Sequence, residues 1–347
     1  MSWESITYPS PLKMGSVIGV TAPSSGVPRF LAPRLNLVIQ HLKQRGFESV
    51  EGICLRNDFK SVSGSAKERA NDFQRLWNDP KIDAIVPPWG GELLLNMIPH
   101  LNFTDLSKNP KWLLGYSDIS TLLFAITIKT GISTAHGMNL MDAVLEQNDS
   151  LSSQTYEILS LKPGEEVTQN SSKNHQIDFR DFSKDVGVTF NLTEKTEWKV
   201  LNAGSEMEFS GRIIGGCLDT LRNLIGTPYG NLNEFAARFK QSGLILYLEN
   251  SGSEPAEVCR ALWNMKLAGW FDSVNGIVFG RSGVSDSTGA DVFSYRDALN
   301  DVFAESKFPV IYDADIGHKP PQLTILNGSM ATLRYKDGAG SLAQTLI

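Results

Sequence analysis

Lys111-Trp112-Leu113-Leu114-Gly115-Tyr116-Ser117-Asp118-Ile119 is the stretch on which the reading of this chain turns. An apolar run climbs to a glycine. A serine follows two positions on, and an apolar helical pattern begins after it. Strand, tight turn and helix in that order hold a serine hydroxyl out at the turn, as in a nucleophile elbow. An isolated Gly-x-Ser also reads as a strand end followed by a helix-capping serine. The rest of the chain has to decide.

Upstream, residues 16–22 read as a buried parallel strand broken by Pro23-Ser24-Ser25-Gly26. A helix follows to about Gly46, with Leu35, Val38, Ile39 and Leu42 on one face. Ser65 can cap a second helix over 66–78, with Ala70, Phe73, Leu76 and Trp77 inward. Ile82–Val86 is the next strand and runs into the turn Pro87-Pro88-Trp89-Gly90-Gly91-Glu92. After Ser117 the residues Ile119, Leu122, Leu123 and Ile126 share a helix face, Gly131 ends the helix, and 132–135 is one more strand. Strands alternating with helices at this spacing predict a doubly wound parallel sheet. Ligands in such sheets sit at the carboxyl ends of the strands, where Gly90-Gly91 and Ser117 both lie. The first strand–helix turn lacks Gly-x-Gly-x-x-Gly, so no dinucleotide site is read there.

From 163 to 207 the pattern dissolves into polar residues and reads as a linker or flap. A mixed α/β pattern then returns at 208–218, with strands at 244–248, 274–280, 309–312, 322–326 and 330–335. Helices are expected near 255–268 and 294–305. The division is 1–162 for an N-terminal domain carrying the nucleophile, 163–207 for the linker, and 208–347 for a smaller C-terminal α/β domain. A chain of 347 residues also exceeds the size at which one core usually keeps growing, about 250–300 residues.

The 38 acidic residues outnumber the 32 basic ones, which argues against a nucleic-acid partner. No uncharged apolar run approaches the ~20 residues that span a bilayer, so no membrane partner is read. Cys54, Cys217 and Cys259 have no metal-site or disulfide-frame spacing. With no leader pattern at the start, a cytoplasmic protein is expected. Neither a metal nor a cofactor is called for.

A serine hydroxyl needs a base within reach, and the base a third group to hold it. His41, His100 and His175 lie on a helix, in a loop and in the polar linker. His136 and His318 both follow strands at a sheet edge, and either can be the base. Glu249 ends the apolar strand Leu244–Leu248, where a carboxylate is out of place without a partner. Asp118, Asp313 and Asp315 compete with it. The amide of Asp118 and the bare backbone of Gly90-Gly91 can supply donors to an oxyanion.

The segments Pro-Pro-Trp-Gly-Gly-Glu, Gly-Tyr-Ser-Asp-Ile-Ser, Gly-Arg-Ile-Ile-Gly-Gly, Leu-Tyr-Leu-Glu-Asn and Gly-His-Lys-Pro-Pro-Gln-Leu-Thr, in this order, resemble the LD-carboxypeptidase family of serine peptidases, which includes microcin C immunity proteins. The resemblance implies a Ser117–His318–Glu249 triad, with His136 near the pocket but not the base. It implies oxyanion donors from Asp118 and the Gly90-Gly91 turn, a site between two domains, and a homodimer. The substrate would be a small molecule or short peptide: either a muropeptide ending in a D-residue or an aminoacyl-nucleotide. Arg212 and Arg222 are the cations available for a carboxylate. Trp198, in the linker, is the nearest match to the family's adenine-stacking tryptophan, and Trp89 sits beside the Gly-Gly pair. A non-catalytic small-molecule binding protein on the same scaffold is the rival reading.

Overall fold

The computed structural model describes residues 3–145, 149–202, 204–284 and 291–347. The first sheet has six strands in the order Ile325–Leu326, Ala135–His136, Trp112–Gly115, Ala84–Ile85, Val17–Val20, Glu48–Glu51. All pair in parallel except Ile325–Leu326, which is antiparallel to Ala135–His136. Strand order reverses at Val17–Val20, which lies between the strand that follows it in sequence and Ala84–Ile85. Loops leaving the carboxyl ends at such a reversal part and open a crevice. Ser24-Ser25 and Trp89-Gly90-Gly91 are those loops, and the Ser117 turn is the next one along.

The helices follow local chemistry. Ala66–Asn78 starts at a reciprocal cap, in which the Ser65 hydroxyl accepts from Glu68 N–H while Glu68 accepts from Ser65 N–H, and it buries Ala70, Phe73, Leu76 and Trp77. Ile119–Thr130 ends at Gly131 in the left-handed region, as the sequence predicts. Its burial differs from the expectation of one apolar face: every residue but Lys129 is buried. The helix lies between the two halves of the molecule. Leu122, Leu123 and Ile126 pack under the first sheet, while Phe124 joins a cluster with Ile214, Leu246 and Phe279 of the second.

The second sheet has eight strands in the order Glu166–Asn170, Ala339–Thr345, Met330–Lys336, Glu206–Cys217, Leu244–Glu249, Val274–Gly280, Val310–Ala314, Lys199–Val200. Glu206–Cys217 through Val310–Ala314 are parallel, and the flanking strands are antiparallel. The polar stretch read as a linker therefore supplies both edges of this sheet. It also folds a small hairpin, Asn174–His175 with Glu194–Lys195. These edge strands are mostly exposed, so they carry little apolar alternation for the sequence to show.

One short segment joins the sheets. Ile325–Leu326 belongs to the first and Met330–Lys336 to the second, with fully buried Asn327 between them. Asn327 Nδ2 donates to Thr134 Oγ1 (3.1 Å), and its Oδ1 accepts from Gly215 N–H (3.2 Å) and Tyr247 O–H (3.0 Å). No helix among the described residues is long and apolar enough to cross a membrane.

Candidate active site

Trp112–Gly115 is a wholly buried strand, and the chain turns sharply two residues beyond it. Ser117 holds φ of 64°, a value that few non-glycine residues adopt and that clusters at functional sites. The turn is held on several sides. Tyr116 N–H donates to Asn139 Oδ1 (3.3 Å), and Ser120 N–H donates to Ser117 O (2.9 Å) as the helix starts. Asp118 opens the helix without capping it through its side chain. Its carboxylate instead accepts from Ser24 O–H (2.6 Å) and Leu94 N–H (2.9 Å), tying together loops from two other strands. Burial pushes the Asp118 carboxyl up, against those two hydrogen bonds.

The Gly-Gly turn presses against the elbow. A Cβ on Gly90 would stand 2.8 Å from Asp118 N, Ser117 Cβ and Ser117 Oγ. Gly91 has φ of 148°, and a Cβ there would meet the Ser24 and Ser25 hydroxyls at 2.4 and 2.3 Å. Only bare backbone fits at either position. Trp89 fixes the turn from the other side, its indole N–H donating to Ser25 O (3.0 Å).

Glu249 ends the buried strand Leu244–Glu249 and is itself 0% exposed. Its Oε2 lies 2.8 Å from His318 Nδ1. Gly317, at φ of 93°, makes this approach possible, since a Cβ there would come within 2.4 Å of the same oxygen. Burial disfavours the His318 imidazolium. The charge and hydrogen bond of Glu249 outweigh it, and the pKa is raised above 6.5. The far ring nitrogen, Nε2, lies 3.1 Å from Ser251 Oγ. The Tyr116 ring meets the imidazole edge-on at 4.9 Å. The Tyr116 hydroxyl engages Asp142, whose pKa burial pushes up to about 6.

Ser117 opens onto two cavities. One, of about 290 Å³, it shares with His318, Trp89, Gly90, Gly91 and Phe179. The other, of about 780 Å³, it shares with Asp118, Asp219, Arg222 and Ser251. The serine, the histidine–glutamate pair and the Gly-Gly turn thus come together from segments that are more than 200 residues apart at their extremes.

Other expected site residues lie elsewhere. Trp198 is fully buried, and its indole N–H donates to Asp315 Oδ2 (2.8 Å), so it faces no ligand; a long apolar ring near a sheet edge was recruited to the core. Arg212 donates to Gly328 O (2.9 Å) and Ile347 O and stacks on Phe239, so its guanidinium is occupied by backbone carbonyls and an aromatic face, away from both Ser117 cavities. His136 is fully buried between Tyr116 and Tyr247, and burial holds its pKa down at about 4. It stays neutral and lines neither Ser117 cavity. Of the weaker candidates, Trp89 and Arg222 do line them. Phe179 and Ser251 were missed. Phe179 has no local signal in a polar stretch, whereas Ser251 follows Glu249 by two positions and was open to notice.

A doubly wound sheet with a serine on its elbow, joined to a second α/β unit that brings a His–Glu pair, defines a two-domain peptidase fold. Residues 18–137 match the family model of the LD-carboxypeptidase N-terminal domain, and residues 210–333 match that of the C-terminal domain. The chain belongs to the LD-carboxypeptidase family. It is 28% identical to a putative carboxypeptidase of Vibrio cholerae, covering 94% of this chain and 95% of that protein. It is 29% identical to the microcin C7 self-immunity protein MccF of Escherichia coli, covering 91% of this chain and 90% of that protein. An MccF-like protein from Bacillus anthracis superposes with a TM-score of 0.83 at 25% identity, covering 98% of this chain and 99% of that one. MccF itself, solved with aspartyl sulfamoyl adenosine, superposes with a TM-score of 0.82 at 26% identity, covering 98% and 99%.

Proposed function

We propose that this peptidase-family protein is a serine hydrolase of amide bonds in a small substrate, working through Ser117, His318 and Glu249. The observation that carries the reading is the 2.8 Å pairing of buried Glu249 with His318 at a cavity that Ser117 shares. With Nδ1–H donated to Glu249, the Nε2 lone pair is the atom left to take a proton. Ser117 Oγ attacks the carbonyl carbon and passes its proton to Nε2. The C–N bond breaks as the imidazolium returns that proton to the leaving nitrogen. Water then attacks the acyl ester, gives its proton to Nε2, and the serine is restored. Asp118 N–H and a glycine N–H of the 90–91 turn stabilise the oxyanion, a role supported by the close approach of Gly90 to Asp118 N. Nε2 also lies 3.1 Å from Ser251 Oγ, a hydroxyl that competes with Ser117 for it.

The aromatic pair Trp89 and Phe179 around the smaller cavity favours a leaving group with a flat ring, as in an aminoacyl-nucleotide. A muropeptide is the second reading, favoured by Arg222 in the larger cavity, which can meet a terminal carboxylate. Purified protein incubated with a murein tetrapeptide and, separately, with an aminoacyl sulfamoyl adenosine, read by mass, distinguishes them. Ser117→Ala should lower turnover of the cleaved compound by about 10⁶-fold with an unchanged fold. A fully active variant, or ligand binding without product from the native protein, overturns the hydrolase reading in favour of a binding protein.

A further inference from the structure

Lys319, the residue after His318, lines a third cavity of about 500 Å³ that shares no residue with either Ser117 cavity. Its charge is opposite to that of its neighbour. Lys195, Lys199, Arg281, Arg296 and Lys319 line it against Glu197 and Asp313. The larger Ser117 cavity instead carries Glu92, Asp118, Asp219 and Glu257 against Arg222. On a chain with more acidic than basic residues, five cations around one concavity are a local reversal of the overall field.

The walls are fixed. Arg281 is only 5% exposed at its side chain, and it donates to Asp315 Oδ1 (2.9 Å), to Lys319 O (2.8 and 3.0 Å) and to Pro321 O (2.7 Å). Lys199 pairs with Asp313 at 2.9 Å, and Asp313 is a non-glycine residue held at φ of 60°. Lys195 and Arg296 stand exposed at the rim, on the hairpin and on the helix Tyr295–Phe303 respectively. Tyr312 and His175 also line it, and burial followed by the Arg281 charge pushes the His175 pKa down to about 4, so its ring is a neutral hydrogen-bonding group.

We infer that this cavity binds a small polyanion, at a site separate from the Ser117 centre. The volume lies within the range of ligand pockets and exceeds what a single inorganic anion fills. Arg296 and the lysines together suit phosphoryl or clustered carboxylate oxygens, through a forked donor and point charges respectively, while Arg281 serves as wall. Diphosphates and polycarboxylates share this chemistry.

The test is calorimetric titration of the full chain with pyrophosphate and, in parallel, with citrate, at 150 mM salt, together with the double variant Lys195→Glu/Arg296→Glu. The native chain should give saturable binding at one site per chain, and the double variant should bind at least ten times more weakly while hydrolysing its substrate at the native rate. Tighter binding of pyrophosphate identifies a phosphoryl ligand, and tighter binding of citrate a polycarboxylate. Both replaced side chains are exposed, and an unchanged melting temperature without ligand confirms that the variant folds. Should its melting temperature fall, Lys195→Gln/Arg296→Gln replaces it. Absence of saturable heat with both anions overturns the inference, as does equal affinity in native and variant chains, which would place the anion in another cavity.

Discussion

His318 meets a carboxylate through one ring nitrogen and a hydroxyl through the other, and each contact has a measurable consequence. Its pKa is raised above 6.5, and a general base must be neutral to act. The acid limb of kcat/KM should therefore fall at a pH above 6.5. Glu249→Gln should move that limb downward, because the charge that raises it is gone, and should reduce turnover by about 10⁴-fold as the ring loses its fixed tautomer. A limb that stays in place in the Gln variant would mean another group titrates. The same raised value carries a stability term. It is fully present below pH 6.5 and is lost as pH climbs through the folded value. The Ser251 contact competes with Ser117 for Nε2. Ser251→Ala should accelerate acylation of Ser117 by a serine-directed probe, read as modified mass against time, and a slower reaction would mean that Ser251 helps to position the ring. At Gly90 a methyl group would strike Asp118 N and Ser117 Cβ at 2.8 Å, both part of the elbow itself. Gly90→Ala should cost about 10²–10³ in kcat and, by crowding the elbow backbone, should also lower the melting temperature.

At the scale of elements, four parallel strands of the first sheet and their helices were legible because their signals are local, whereas Glu48–Glu51 was not read as a strand and Ile325–Leu326 was assigned to the C-terminal domain. Apolar runs, the Ser65 cap with Glu68 three residues on, and Gly131 at a helix end each act within one turn of chain. The elbow was legible for the same reason, and so was Glu249, a charge at the end of an apolar strand. What escaped depends on pairing between remote segments. Glu166–Asn170 and Lys199–Val200 are strands only because Ala339–Thr345 and Val310–Ala314 offer them an edge. Trp198, offered by the family resemblance as a ligand-facing ring and by its own chemistry as a hydrophobic anchor, is the anchor, held by Asp315 in the core. That carboxylate also accepts from Ser172 N–H (3.1 Å) and pairs with Arg281, so one buried anion ties the polar stretch to the loop carrying the base. Arg281→Met would leave Asp315 a buried charge without its cation. It should cost about 3–5 kcal/mol in chemical denaturation, and a loss below about 1 kcal/mol would show that Trp198 and Ser172 suffice.

Over the whole molecule, the serine belongs to one sheet and its helpers to the other. The buried helix Ile119–Thr130 and the Asn327 hydrogen bonds fasten the two together. Asn327→Ala would strand Gly215 N–H and the Tyr247 hydroxyl, while Thr134 keeps Leu123 O and Thr127, at a cost of about 2–4 kcal/mol. Activity and far-ultraviolet dichroism should then be lost in a single shared denaturant transition at lower midpoint, and separate transitions would show that the two sheets unfold independently.

The antiparallel edge of the first sheet has a consequence for a chain still being made. Synthesis delivers the nucleophile early, and N-terminal units generally begin to fold first. Yet Ile325–Leu326, the strand that covers Ala135–His136, is translated after the four parallel strands of the second sheet. The nascent first sheet waits with an open edge, and Ser117 waits without His318, until the ribosome has passed His318 and then Leu326. Under the proposed mechanism, birth order acts as a safety catch: Ser117 meets His318 and Glu249 only after nearly all of the described fold has emerged.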